Sequence, residues 1–285
     1  MKKSDFKSRV TGQKTVWSAG AYDALSAKYI ERAGFDAVMT SGFGVSASFL
    51  GQPDAELYTM SENLAVVRNV ASVVECPVIA DIDTGYGNAI NVMRTVREFE
   101  AVGVSAVIIE DQVAPKRCPI CVGGVEVIPL EEAVMKIEAA AAARRNANML
   151  IIARTDVVDP AAAIERGKAY VKAGADIIQP ISKCFNSIDG LRAMRRGVGV
   201  PLSLQVLGWL ENLSPDEIES VAGMATFALV PLMTVAAALT ENLEALARTK
   251  TTKGLPRARM AHDPFVDFIG FKQVEELQKK YLRAS

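Results

Sequence analysis

The strongest constraint on the fold is a regular alternation of short apolar runs with longer, alanine-rich amphipathic runs. Helical patterns such as 91–102 and 161–173 separate the apolar runs. Strands that are continuously apolar and separated by helices are typical of a parallel sheet covered by helices. The sequence therefore predicts an α/β fold with eight strands, at 15–19, 36–40, 77–81, 106–110, 149–154, 176–181, 201–206 and 226–230.

A weak internal repeat favours one α/β architecture. Three segments carry a glycine after a helical run and before a new strand: AGFDAV, VGVSAV and AGADII. Gly34, Gly103 and Gly174 suit the left-handed position that ends a helix. Eight such units in about 250 residues match a (β/α)8 TIM-type barrel better than an open doubly wound sheet, and no GxGxxG follows the first strand. We predict one barrel domain over residues 1–285.

The chain continues beyond the eighth unit as PFVDFIGFKQVEELQKKYL, residues 264–282. Its spacing predicts a C-terminal helical extension of one or two helices, with a stripe of aromatic and leucine side chains. Such a stripe needs a partner to cover it. We expect that another subunit of the same protein provides this cover.

Composition narrows the classes of function. The formal net charge is −1, so no basic surface indicates binding to nucleic acid or to an anionic membrane. No apolar run is long enough to span a bilayer, and no apolar segment follows the charged start MKKSDFKSRV as in a signal peptide. Four cysteines are too few for a disulfide framework. We expect a soluble, cytoplasmic protein that binds a small molecule.

Charged side chains stand at the ends of consecutive predicted strands. Asp81 and Asp83 end the third strand in ADIDTGYGN, Glu110 ends the fourth, and Arg154 ends the fifth. The active site of such a barrel lies at the C-terminal ends of its strands. Acids gathered there without a nearby histidine indicate oxygen ligands for a hard cation, Mg²⁺ or Mn²⁺. If the chain stays extended, Asp81 and Asp83 point the same way.

The sequence alone leaves two interpretations of these charged groups open, one functional and one structural. Arg154 would hold a substrate carboxylate or phosphonate, because its planar fork gives two hydrogen bonds. The structural alternative is that the acids cap the following helices or pair with lysines at the rim of the barrel.

The connection after the fourth strand, EDQVAPKRCPICVGG at 110–124, is long and rich in Pro and Gly. Such a loop in a compact barrel is usually functional, often a lid. It carries Lys116, Arg117, Cys118 and Cys121. The C-x-x-C spacing admits a zinc knuckle or a redox pair, but a second ligand pair and a thioredoxin-like context are both missing. A catalytic Cys118 thiol beside two cations is the favoured interpretation.

Five stretches closely resemble the isocitrate lyase/phosphoenolpyruvate mutase superfamily. They are AYDALSAKYIERAGFDAV, SGFGVSASFLGQPD, ADIDTGYGN, EDQVAPKRC and IIARTD. Within it the sequence is most similar to the group of 2-methylisocitrate lyases, dimethylmalate lyases and carboxyphosphonoenolpyruvate mutases. The resemblance implies a Mg²⁺-dependent enzyme. It also implies a homotetramer whose subunits exchange C-terminal helices.

The resemblance also implies roles for individual residues. Three residues match the segment that binds the carboxylate and carbonyl of a 2-oxo acid: Ser41, Gly42 and Phe43. Four acids match the set around Mg²⁺, some binding directly and some through water: Asp54, Asp81, Asp83 and Glu110. Lys116 and Cys118 match the gating loop, whose cysteine is an acid/base in the lyases. Arg154 matches the arginine that holds the substrate.

The chain departs from its relatives where the second substrate fragment binds. In the lyases a glycine and a histidine normally follow the loop cysteine, whereas here Pro119 and Ile120 follow, and the only histidine is His262. At the end of the sixth strand the lyases tend to have a glutamate and the mutases a histidine, whereas this chain has Ile181. After the seventh strand the lyases tend to have an asparagine, and the nearest match here is Gln205.

These observations predict a Mg²⁺-dependent carbon–carbon lyase. Its substrate would be a 2-methylisocitrate-like or alkylmalate-like 2-hydroxy acid, cleaved through a metal-stabilised enolate of a 2-oxo acid. The alternatives are a phosphonomutase or phosphonopyruvate hydrolase acting on a P–C bond, and an oxaloacetate hydrolase or decarboxylase. A barrel that keeps the metal site without catalysis is a further alternative.

Overall fold

Eight parallel strands close into a barrel in which each strand pairs with its neighbours in sequence and the eighth pairs with the first. The structure is a computed structural model that describes residues 1–12, 14–118 and 124–282. The predicted (β/α)8 TIM-type fold is confirmed. The strands are β1 (Val16–Ala21), β2 (Ala37–Thr40), β3 (Val78–Asp81), β4 (Ala106–Glu110), β5 (Leu150–Thr155), β6 (Ile177–Pro180), β7 (Leu202–Gln205) and β8 (Ala222–Phe227).

Twelve α-helices lie in the described ranges, and most connect one strand to the next. Side chains of Asp, Thr, Asn or Ser accept backbone N–H groups at the starts of seven of them, as N-caps do. The helices are α1 (Phe6–Val10), α2 (Ala24–Arg32), α3 (Gly42–Val45), α4 (Met60–Val73), α5 (Ala89–Ala101), α6 (Leu130–Ala143), α7 (Pro160–Lys172), α8 (Ile188–Val198), α9 (Pro215–Glu219), α10 (Val230–Thr249), α11 (His262–Ile269) and α12 (Phe271–Tyr281).

Gly34, Gly103 and Gly174 have φ values of +92°, +84° and +109°. Each follows a helix, as the repeat predicted. A side chain at these angles would strain the backbone, whereas glycine reverses the chain toward the next strand without that cost.

The eighth strand differs from its prediction. It begins at Ala222, four residues before the expected start at 226. Ala222 and Gly223 at its start have weak strand signals, yet the barrel needs a glycine at 223 because α1 packs closely on it. The end of the expected run is also wrong, because Val230 already belongs to α10.

The barrel interior is apolar near the N-terminal ends of the strands and polar near their C-terminal ends. The apolar layer packs against Phe6 and Val10 of α1, which are fully buried. The polar layer contains a hydrogen bond between the Ser18 and Thr226 hydroxyls at 2.7 Å. Since alternate side chains of a strand face the interior, this change of polarity directs functional groups to one end of the barrel.

The chain divides into two compact units, Met1–Met233 and Thr234–Ser285. The second unit contains α11 and α12, so the predicted C-terminal helices are confirmed. No described residue of these two helices is buried. A single domain over 1–285 and the exchange of helices between subunits stay predictions.

No helix of the described residues is both long enough and apolar enough to cross a bilayer. A cytoplasmic location stays a prediction.

The contact between α1 and β8 can be tested at Gly223. A Cβ placed there would lie 2.3 Å from the Val10 carbonyl oxygen and 2.6 Å from Pro201 Cβ. We expect Gly223→Ala to lower the free energy of unfolding by about 1–3 kcal/mol, because the packed barrel floor has to shift. Urea denaturation followed by circular dichroism measures this change.

Gly124→Ala is the matched control for this substitution. An added Cβ at Gly124 meets no atom of the described residues within 4 Å, so the unfolding midpoint of this variant should stay close to that of the wild type. Equal midpoints for the two variants would contradict the close packing of α1 on β8.

Candidate active site

A cavity opens at the C-terminal ends of the barrel strands, at the polar end of the interior. Its walls include residues from β3, β5, β6 and β7 and from the connections that follow them. Six of the residues predicted from sequence line it: Ser41, Phe43, Asp54, Asp81, Cys118 and Arg154. The other four predicted residues, Gly42, Asp83, Glu110 and Lys116, reach the same region through the contacts described below.

The segment after β2 brings a glycine against the acids. The Gly42 amide donates to Asp81 Oδ2 at 3.1 Å. A Cβ at Gly42 would lie 2.9–3.0 Å from Tyr58 Oη, Asp81 Oδ2 and Asp83 Oδ1, so this close approach needs glycine. The Ser41 amide donates to the Ala21 carbonyl at 3.1 Å. Two of the three backbone amides expected to hold a substrate therefore bond within the protein.

Asp81 and Asp83 come together by a route that the sequence did not predict. β3 ends at Asp81, and Asp83 has a left-handed backbone with φ of +49°. The expectation that an extended chain aligns the two side chains is therefore wrong. Instead the chain turns, and the Asp83 amide donates to Asp81 Oδ1 at 3.1 Å. Both carboxylates still belong to one cluster, because the turn folds the second back over the first.

The Lys116 ammonium lies in the middle of the acidic cluster. Its Nζ atom is 3.1 Å from Asp54 Oδ1, 2.5 Å from Asp83 Oδ1 and 3.9 Å from Glu110 Oε1. The side chain is 2% exposed. Burial alone would lower its pKa, but these carboxylates outweigh burial and hold the pKa of Lys116 well above its usual value. Lys116 is therefore a charged ammonium at neutral pH.

Several carboxylate oxygens of the cluster keep unused acceptor capacity. Asp54 Oδ1, Asp83 Oδ1 and both oxygens of Glu110 are buried and accept no hydrogen bond from the described residues. The Lys116 ammonium forms ion pairs with Asp54 Oδ1 and Asp83 Oδ1 and lies 3.9 Å from Glu110 Oε1, whereas Glu110 Oε2 pairs with Arg154. Burial raises the pKa of Glu110 well above its usual range and also raises the pKa of Asp81, although Arg154 and Lys116 oppose this. The cluster can accept more positive charge.

Arg154 connects this cluster to a second acid. Its Nη1 atom lies 2.8 Å from Glu110 Oε2, its partner across the β4–β5 ladder. Its Nε and Nη2 atoms donate to Asp156 Oδ1 at 3.1 and 2.8 Å. Burial opposes its charge, but Asp156 and Glu110 hold the pKa of Arg154 well above its usual value. The guanidinium is thus fixed in orientation while it lines the cavity.

Tyr86 and Asn63 support Asp83, Tyr58 lies near it, and all three were missed in the sequence. Tyr86 donates to Asp83 Oδ2 at 2.8 Å. Asn63 donates to the Tyr86 hydroxyl and to the Asp81 carbonyl, each at 2.8 Å. Burial and the neighbouring acids raise the pKa of Tyr58 and of Tyr86, so both stay protonated donors. Tyr86 lies within the motif DTGYGN, whereas nothing in the sequence near Asn63 and Tyr58 connects them to it.

The opposite wall of the cavity is uncharged among the described residues. Gln179 Oε1 accepts hydrogen bonds from Ser203 Oγ at 2.7 Å and Gln205 Nε2 at 3.2 Å. Ile181 and Leu207 add apolar surface. Sequence reasoning considered Ile181 and Gln205 but missed Gln179. Period two along β6, which places Ile177 and Gln179 on one face, was the available signal.

The loop after β4 brings Cys118 to the cavity wall, where its side chain is partly exposed. Burial raises the pKa of Cys76 and of Cys184 to about 12, so these two thiols stay protonated. Pro119, Ile120 and Cys121 lie outside the described residues. The zinc-knuckle and redox interpretations of C-x-x-C therefore stay untested. Among described residues, no three His, Cys, Asp or Glu side chains already form a metal-binding group.

A family model for phosphoenolpyruvate phosphomutase matches residues 6–248 of the chain. The chain belongs to this family. The resemblance to the isocitrate lyase/phosphoenolpyruvate mutase superfamily is thus confirmed, and so is the prediction that the chain is an enzyme of that superfamily.

Three relatives illustrate the range of chemistry within the family. The 2,3-dimethylmalate lyase of Eubacterium barkeri is 41% identical, covering 94% of each chain. The 2-methylisocitrate lyase of Aeropyrum pernix is 38% identical and covers 92% of this chain and 85% of its own. The crystal structure of phosphonopyruvate hydrolase in complex with oxalate and Mg²⁺ superposes with a TM-score of 0.89 and 30% identity, covering 99% of this chain and 100% of its own.

The charge balance of the acidic cluster can be tested at Lys116. We expect Lys116→Met to lower the free energy of unfolding at pH 7 by about 3–5 kcal/mol, because it leaves buried carboxylates without their cation. Urea denaturation in a chelating buffer measures the change. Arg117→Met is the matched control, since the neighbouring Arg117 side chain is exposed. A similar loss in both variants would contradict the central role of the ammonium.

Proposed function

We propose that the chain is a carbon–carbon lyase that cleaves a 2-hydroxy dicarboxylate or tricarboxylate of the alkylmalate or 2-methylisocitrate type. The observation that supports it is the presence of Cys118, Arg154 and Asp81 on the walls of one cavity. A thiol that can exchange a proton stands in the same cavity as a fixed cation and an acidic cluster. The similarity to two lyases of this kind adds support.

The acidic cluster fits a Mg²⁺ ion, with Mn²⁺ as an alternative. The buried, unused oxygens of Asp54, Asp83 and Glu110 are hard donors of the type Mg²⁺ prefers. Mg²⁺ keeps several waters and needs only one or two carboxylates directly, so the lack of three converging carboxylates is compatible with it. We propose that Asp54, Asp81, Asp83 and Glu110 hold the ion. When bound, it supplies positive charge that polarises the substrate oxygens.

The protein groups around the cavity supply substrate binding. Two of the five N–H groups of Arg154 donate to Asp156, which leaves donors for a substrate carboxylate. Because the Ser41 and Gly42 amides bond within the protein, the segment 41–43 contributes through the Ser41 hydroxyl and through Phe43, which both line the cavity. Lys116 compensates the charge of the acids beneath the substrate.

The electron balance of the cleavage assigns a role to Cys118. The 2-hydroxyl group loses its proton, its carbon becomes the carbonyl of a 2-oxo acid, and the electron pair of the broken bond stays on the departing fragment. Cys118 then donates a proton to that carbon. The expectation that a lyase forms an enolate of the 2-oxo acid therefore needs correction, because the negative charge develops on the departing fragment. Such an enolate forms only if the chain breaks the P–C bond of phosphonopyruvate or decarboxylates oxaloacetate.

Phosphonopyruvate hydrolysis is the second candidate, favoured by the likeness to a hydrolase of that substrate. The enolate of pyruvate that P–C cleavage leaves also takes up a proton at carbon. Release of phosphate from phosphonopyruvate therefore separates the two candidates, whereas a proton donor is needed in both.

The substrate can be identified with a panel of 2,3-dimethylmalate, 2-methylisocitrate, oxaloacetate and phosphonopyruvate in the presence of Mg²⁺. Coupling to lactate dehydrogenase follows the reactions that release pyruvate, and oxalate and phosphate are measured separately. We expect turnover of one of the first two substrates, and we expect Cys118→Ser to lower its kcat by about 10²–10⁴-fold, the usual contribution of a general acid.

Cys76→Ala is the matched control, because this cysteine is buried in the helix-covered core and should leave kcat unchanged. Phosphate release from phosphonopyruvate without turnover of either hydroxy acid would replace the lyase by the hydrolase. Turnover of a hydroxy acid that is insensitive to Cys118→Ser would remove the thiol from the mechanism.

We propose that the enzyme is a homotetramer that covers its C-terminal helices with neighbouring subunits. Phe271 and Leu277 of α12 are 54% and 55% exposed, which supports this because such apolar patches mark interaction surfaces. We expect light scattering to give four times the chain mass of 30.6 kDa. Leu277→Lys should yield smaller species, whereas Gln278→Lys on the same helix should not. A monomeric wild type would contradict the proposal.

A further inference from the structure

Two successive backbone amides immediately before Cys118 donate to side chains, one from a distant part of the chain and one from the start of the same connection. The Lys116 amide donates to Glu56 Oε2 at 2.9 Å. The Arg117 amide donates to Gln112 Oε1 at 3.0 Å. Loop amides more often meet water, so two side-chain acceptors in sequence fix the loop at this point.

The Glu56 contact leads to the acidic half of the site. Its other oxygen, Oε1, accepts a hydrogen bond from Thr84 Oγ1 at 2.6 Å, and Thr84 is fully buried next to Asp83. Glu56 itself has a left-handed backbone with φ of +55°, a strained conformation for a residue with a side chain. One carboxylate therefore joins the loop to the DTGYGN turn, and it does so from a strained position.

The Gln112 contact leads to the arginine half of the site. Its Nε2 group donates to Asp156 Oδ2 at 3.0 Å, and the other oxygen of Asp156 holds Arg154. Gln112 is 1% exposed. Its amide oxygen and amide nitrogen each have one specific partner, so its orientation is fixed from both sides.

We propose that Glu56 and Gln112 are positioning residues that hold the loop 114–118, and with it the Cys118 thiol, relative to both halves of the site. We call these two residues the double clamp. Its consequence for catalysis rests on the proposed lyase function, whereas its consequence for loop position does not. Loss of the side-chain contacts of either Glu56 or Gln112 should release Lys116 from the acids and move Cys118 away from the substrate carbon.

Two isosteric substitutions, Glu56→Gln and Gln112→Glu, should differ in effect because their hydrogen-bond partners differ. In Glu56→Gln the new amide oxygen can accept from the Lys116 amide, and the new NH₂ group can donate to the Thr84 hydroxyl, which accepts as readily as it donates. In Gln112→Glu a carboxylate oxygen would face the carboxylate of Asp156, which has no proton to donate. We therefore expect Glu56→Gln to keep both hydrogen bonds of Glu56. We expect Gln112→Glu to lose the hydrogen bond to Asp156.

Glu56→Gly distinguishes the loss of the Glu56 contacts from a loss of folding stability. Glycine adopts positive φ without strain, so this variant removes the side-chain contacts while it relieves the backbone. We expect its urea midpoint to stay close to that of the wild type, although its clamp is absent. The proposal thus remains testable even where Gln112→Glu folds poorly.

Limited trypsin digestion measures the loop position without any substrate. The bonds after Lys116 and Arg117 are tryptic sites, and Lys116 is buried in the clamped loop. We expect cleavage at these bonds to be at least about tenfold faster in Glu56→Gly and Gln112→Glu than in the wild type, a factor equivalent to about 1.4 kcal/mol. Glu56→Gln should match the wild type. Cleavage after the exposed Lys250 is the internal reference and should be equal in all four proteins.

Steady-state kinetics on the substrate found in the panel gives the second readout. Glu56→Gly should lower kcat with little change in KM, because the hydrogen bonds of Glu56 go to Thr84 and to the Lys116 amide and not to Arg154 or Asp156. Gln112→Glu should lower kcat and raise KM, because Asp156 also orients Arg154. Glu56→Gln should have the kcat and the KM of the wild type.

The two readouts distinguish failure of the clamp from failure of the proposed function. Faster loop cleavage without turnover of any hydroxy acid would support the clamp and reject the lyase. Unchanged cleavage at Lys116 and Arg117 in Glu56→Gly and in any soluble Gln112→Glu protein would overturn the clamp, whatever the activity. Equal cleavage and equal kcat in Glu56→Gln and Glu56→Gly would overturn it as well.

Discussion

The site depends on one interaction, the buried ion pairing between the Lys116 ammonium and the carboxylates of the acidic cluster. Carboxylates removed from water repel one another and raise one another's pKa, so a cluster of this kind needs a cation to persist. The cation comes from a loop after β4, not from the barrel itself. The barrel and the loop are therefore electrostatically linked. Movement of this loop changes the charge balance beneath the substrate at the same time as it moves the thiol.

The barrel part of the site was predictable because it follows from periodicity. Asp81, Glu110 and Arg154 occupy inward-facing positions at the ends of three consecutive parallel strands. Strand alternation and the barrel rule are sufficient to place them together. The prediction reached the right cluster for Asp83 by a wrong route, because a left-handed turn rather than an extended chain directs its carboxylate. The start of β8 was displaced because its small residues carry weak strand propensity.

The remaining features could not be predicted because they depend on contacts between distant parts of the chain. Lys116 meets Asp54 across 62 positions of sequence, and Glu56 reaches the Lys116 amide across 60. No local spacing encodes such pairs. Gln179 is a different case: its position on the inner face of β6 was within reach of the period-two rule. Gln179 was missed because an uncharged side chain lacks the charge that marks the acids as candidate site residues.

The packing of α1 against the barrel floor has a consequence for synthesis of the chain. Phe6 and Val10 emerge from the ribosome more than 200 positions before the residues around Gly223 that complete their pocket. Contacts of such long sequence separation form late because the intervening chain must first be ordered. Two large apolar side chains therefore stay without their final partners during most of translation. We expect the nascent barrel to need protection from aggregation until its last strand closes the ring.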